Sequence, residues 1–146
     1  MKRRLTAGLI LIGAVALAQA PSEPLPAVAT MKQLMLDLIH PAANEILLSI
    51  FRGGPKDDAE WAGVRRSALT LAEIGPLLMA RGRARDSADW QKDARLLAEA
   101  GAASYKAAQA KDAKALAAAA EPLDASCTSC HKQFRPNVFP REGGSK

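Results

Sequence analysis

Apolar residues recur along this chain at three- and four-residue spacing, the period of a helix that buries one face, and no stretch alternates as a half-buried strand would. Between Val28 and Phe51 the recurring positions are Met31, Leu34, Met35, Leu38, Ala42 and Ile46. Pro41 predicts a kink or split near His40, and Gly53-Gly54-Pro55 ends the run. A second period opens at Asp57-Asp58-Ala59-Glu60, an acidic cap with Glu three residues on, and carries Trp61, Val64, Ala68, Leu71, Ala72 and Leu78. Pro76 lies late in it, and Arg81-Gly82 supplies a basic last turn and a glycine stop. A third runs from near Ser87 through Trp90, Ala94, Leu97, Gly101 and Tyr105 to about Gln109. The fourth, capped by Asp112, carries Leu116, Ala119, Leu123, Cys127, Cys130, His131 and Phe134 until Pro136, with Pro122 as an internal irregularity. Four helices with short links predict an all-α fold, an antiparallel four-helix bundle over residues 28–135.

The ends follow other rules. Lys2-Arg3-Arg4, an apolar run from Leu5 to Leu17 and small residues to Ala20 predict a cleavable secretory signal over residues 1–20, hence export to the periplasm. Pro21 to Pro26 makes residues 21–27 an extended leader, and residues 136–146 form a polar tail. The signal takes three basic and no acidic residues with it, so the 20 basic residues fall to 17 against 15 acidic, a net +2. So small a surplus removes the case for nucleic acid or an anionic membrane as partner.

Composition changes the picture inside the bundle. Hydrophobic residues make up 49% of the chain but aromatics only 4%, and Ala dominates after Leu96, which leaves room to enclose something large. Cys127-Thr128-Ser129-Cys130-His131 says what: Cys-x-x-Cys-His is the pattern of covalent c-type haem attachment. On a helix, residues three and four apart share a face, so both thiols reach the haem vinyl groups while His131 points at the iron. A disulfide would close too short a loop to stabilise much. A zinc site lacks a fourth ligand unless His40 provides it, and a thioredoxin-like pair belongs at the start of a helix that follows a strand.

An exported four-helix chain with this pentad at the end of its last helix resembles the cytochrome c′ and cytochrome c-556 family, the class II c-type cytochromes. The resemblance covers about residues 28–135. It implies one covalent haem c between the helices near one end, a homodimer through the first two helices, and a first helix laid over the distal haem face. Members like c-556 put a methionine there, and members like c′ put an apolar residue there and leave the iron five-coordinate. Met35 is the expected sixth ligand, opposite His131, because it shares a stripe with Met31, Leu34 and Leu38. Matching Lys32-Gln33 to the family's Arg-Gln pair instead sets Leu36 over the iron, and Met31 is a further alternative. Arg135 is the expected propionate partner. Trp61 and Trp90 are core residues that could line the haem edge, and His40 is a polar residue at the kink.

Two functions follow. With a saturated His131/Met35 iron the protein carries single electrons between redox partner proteins; with a five-coordinate iron it binds NO or CO. An enzyme such as a peroxidase would need a distal acid-base pair, and apart from His40 nothing volunteers, so none is expected. A second apolar surface, with Leu36, Ile39 and Leu47 beside the main stripe, suggests self-association.

Overall fold

The computed structural model describes residues 26–80 and 82–137. The signal at 1–20, most of the leader, Arg81 and the tail from Val138 lie outside the described residues. Within them the chain is a four-helix bundle with no strand: α1 (Met31–Phe51), α2 (Asp58–Met79), α3 (Ala88–Ala110) and α4, built from Ala113–Ala118 and Ala120–Phe134 on either side of Ala119.

Local chemistry sets the helix starts. Thr30 and Gln33 form a reciprocal capping box that begins α1. Asp57, Ser87 and Asp112 each accept the backbone N–H three residues on, at 2.8, 3.4 and 2.9 Å. Val28 therefore stands outside α1, fully exposed.

Pro41 does not end α1; the winding changes just before it, at His40. Leu34–Ile39 is wound as a π-helix, and the His40 N–H donates to the Met35 carbonyl five residues back. Pro41 has no N–H, and its ring would press on the carbonyl four residues earlier; the wider turn just before it absorbs the misfit. The consequence is a rotation of every later side chain. The buried positions run Leu34, Ile39, Ala42, Ala43 and Ile46, while Leu38 is 44% exposed, so Leu38 drops out of the expected stripe and Ile39 replaces it. Ile39 accordingly belongs to the core, not to a second surface.

Two further prolines are accommodated. Pro76 lies inside α2 without ending it. Pro122 falls in the first turn of the segment after Ala119, where an N–H would have no helical partner anyway.

The closest packing is between α2 and α3, where glycines take the place of side chains. A Cβ on Gly75 would lie 2.8 Å from the Ala94 carbonyl oxygen, and one on Gly101 2.5 Å from the Ala72 nitrogen. As Gly75 faces residues near 96 and Gly101 faces residues near 71, the two helices run antiparallel. The same holds for α3 and α4, where Trp90 meets Phe134 and Asp93 meets Ser129. Helix α1 packs well on α2 but sparsely on α4, and the space left between α1 and α4 positions the site.

Candidate functional site

That space is a cavity of about 480 Å³, a size suited to a large organic ligand. Its α1 wall includes Met35, Leu36, Ile39, His40, Ala43 and Leu47; α3 adds Trp90, Asp93, Ala94 and Leu97. From α4 come Cys127, Cys130 and His131, with Arg135 just past its end. A second chamber of about 450 Å³ adjoins it, bordered by Met31, Arg83, Arg85 and Phe134. Met35, Trp90, Cys130, His131 and Arg135 border both.

All five residues singled out in the sequence, Cys127, Cys130, His131, Met35 and Arg135, thus line one continuous hollow. Leu36 lines only the larger chamber and Met31 only the smaller. Gln33, half of the pair that would have set Leu36 over the iron, is engaged in capping: its Oε1 accepts from the Thr30 N–H at 2.9 Å. Trp61 is a core residue away from both chambers, whereas Trp90 borders both and donates from Nε1 to the Leu78 carbonyl at 2.9 Å. His40 lines the larger chamber from an exposed position.

Electrostatics at the pentad follow from burial. Desolvation raises the Cys127 thiol above its ordinary value, against the Ser126 hydroxyl, which lowers it. Cys130 is pushed up to about 11, first by desolvation and then by the Asp93 carboxylate. Burial, with help from Arg135, lowers His131 and favours the neutral imidazole, the form that ligates a metal. Reactive dithiols show the reverse, a depressed thiol. Among the described residues no group of three or more His, Cys, Asp or Glu side chains could hold a metal ion, so the zinc reading finds no ligand set.

Some site residues were not singled out in the sequence. Asp93 interrupts the apolar stripe of Trp90, Ala94 and Leu97, a signal present in the periodicity, yet is buried to 2% exposure. Arg83 and Arg85 come from the α2–α3 link, where no periodicity points to them. Arg83 donates to the Ala29 carbonyl at 3.0 Å, tying this link to the start of α1. The Arg85 guanidinium lies 5.5 Å from the Trp90 ring and 5.3 Å from that of Phe134.

The family model described as Cytochrome C′ matches residues 85–135, from the end of the α2–α3 link to the end of α4. Over this segment the chain is similar to the cytochrome c′ family. It includes the pentad and the α3 wall of the cavity; α1, with Met35, lies outside it. No curated protein and no solved structure matches the chain significantly. The family implies a covalently bound haem c, and the residues fit that group. Two thiols and an imidazole, at helical spacing three and four, face a largely apolar hollow of ligand size.

Proposed function

We propose that this chain is an exported c-type cytochrome that carries single electrons, with haem c held by Cys127 and Cys130 and ligated by His131 and Met35. The observation that supports the reading is that, of the three distal candidates, Met35 alone borders both chambers together with His131 and Cys130. Haem supplies ferric/ferrous exchange when bound; the protein supplies ligands, dielectric and shape. Cys127 and Cys130 would hold the ring edge through two bonds, and His131, on the same helix face, would ligate from the α4 side. The Met35 thioether is a soft ligand that favours the reduced state, and by filling the sixth site it would exclude small-molecule ligands. Trp90, Ala94 and Leu97 line that space and would shield bound haem from water. Arg135, at the rim with Arg83 and Arg85, offers guanidinium donors to the propionates. Redox partner proteins would dock where the haem edge is accessible, in the periplasm.

Absorption spectra of the oxidised and reduced protein, with and without CO, test this. Wild-type ferric protein should be low spin with a weak sulfur-to-iron charge-transfer band at the red end of the visible. Met35→Ala should abolish the band and open the ferrous iron to CO, and Met31→Ala should leave the band in place. A high-spin ferric protein that Met35→Ala does not change would refute Met35 ligation. It would favour a five-coordinate iron capped by Leu36, which lines the larger chamber, and binding of NO or CO.

A further inference from the structure

Among the described residues Asp93 is the only acidic or basic side chain in the buried interior. A leucine there would continue the Trp90–Ala94–Leu97 stripe, whereas a carboxylate must be taken out of water. Both its oxygens are held from α4: Oδ1 accepts from Ser129 Oγ at 2.9 Å and Oδ2 from Gln133 Nε2 at 3.3 Å. Gln133 Nε2 also reaches Ser129 Oγ at 3.4 Å, closing a three-residue network. Neither donor brings a countercharge. Ser129 is the second variable residue of the Cys-x-x-Cys-His pentad, and Asp93 lines the same chamber as Cys127, Cys130 and His131.

Two consequences follow from that placement. Ser129 and Gln133 are four apart, so one side chain on α3 grips one face of α4 over a full turn and limits its rotation about its own axis. The adjacent face, with Cys130 and His131, is thereby aimed at the chamber. A carboxylate in a low-dielectric wall also stabilises whichever neighbour carries more positive charge, and ferric haem carries one more than ferrous.

We infer that Asp93 is a positioning residue that aims the attachment face of α4 and sets the redox poise of the site, its buried carboxylate favouring the ferric state. The inference rests on the haem reading above. It opposes the effect of Met35, so the two residues tune the potential from opposite sides of the hollow.

The test is potentiometric titration of the purified holoprotein, followed by absorbance. Asp93→Asn keeps the shape and loses the charge; it should raise the midpoint by at least a tenfold change in the ferric/ferrous ratio, about 59 mV for one electron. Asp93→Glu keeps the charge and should stay nearer wild type than the Asn variant. Should Asp93→Asn not accumulate, Gln133→Lys, at a half-exposed position, sets a cation against the carboxylate and should also raise the midpoint. Midpoints unmoved by the Asn or Lys variant, or moved as far by Glu as by Asn, overturn the inference. Wild-type protein whose mass shows no attached haem would overturn the haem reading and this inference with it. Attached haem with an unmoved midpoint overturns only the role of Asp93.

Discussion

Gly101→Ala sets two opposed effects against each other at the tightest contact in the bundle. Alanine in a helix interior is favoured over glycine by about 1 kcal/mol, so α3 alone would gain. Against this, the new Cβ would lie 2.5 Å from the Ala72 nitrogen, 2.8 Å from the Leu71 carbonyl carbon and 2.9 Å from the Leu71 Cβ. Ordinary carbon contacts are about 3.5–4.0 Å, so relief needs a separation of roughly 1 Å. Backbone cannot rotate aside as a side-chain tip can, so α2 and α3 must move apart. Leu71 and Ala68, both fully buried, then lose part of their contact with α3. Overpacking of this kind costs about 1–3 kcal/mol, and the rigidity of the clash puts it at the upper end. The net loss is about 2 kcal/mol, a fall of roughly 8 °C in Tm for a domain of this size. Thermal and urea melts of the holoprotein by circular dichroism would measure it. Gly63→Ala is the control: its Cβ meets the end of the Glu45 side chain, whose displacement gives up the hydrogen bond from Ser67 but moves no backbone, and this loss of about 1 kcal/mol offsets a similar gain in helix propensity, so the net change should stay within about 1 kcal/mol. A Gly101→Ala protein as stable as wild type would refute the reasoning. Because α3 carries Trp90, Asp93, Ala94 and Leu97, the separation should also broaden the haem absorption bands.

Three other outcomes are expected. Lys111 donates to Asp58 at 2.6 Å and, with its charge, holds that exposed carboxyl below its ordinary value. A depressed folded-state value makes the contribution present above the unfolded-state value and lost as pH falls through the folded one. NMR titration should therefore show Asp58 titrating low and returning upward in Lys111→Met. Leu38, Leu48 and Phe51 on α1 and Leu69 and Leu77 on α2 are exposed apolar residues, so sedimentation should show a dimer at tens of micromolar that Phe51→Glu dissociates; wild-type monomer alone would contradict it. Replacing Cys127 and Cys130 together by Ser should remove haem from the denatured chain by mass, while either single change should leave it attached through one bond.

Much of this molecule was legible from residues close in sequence. Asp57, Ser87 and Asp112 start their helices through hydrogen bonds that span three residues, and the pentad places two thiols and an imidazole on one face by helical spacing alone. The four-helix class and the attachment face are local properties, and a single sequence carries them. Matters were otherwise where distant segments meet. Periodicity kept Leu38 in the buried stripe, because a constant 3.6-residue turn cannot register the π-helical segment that brings Ile39 inward. Gly101 read only as one position on the third helical stripe, and its part in the close approach of α2 and α3, opposite Leu71 and Ala72, shows only in the folded chain. Asp93 was one polar interruption on α3, and only its pairing with Ser129 and Gln133, thirty-six and forty residues on, makes it part of the site. The same holds for the distal wall. The motif names the α4 side of the hollow by itself, but which residue of α1 stands opposite depends on how far the π-helical segment turns that helix and how α1 packs against α2, and these are settled only by tertiary structure.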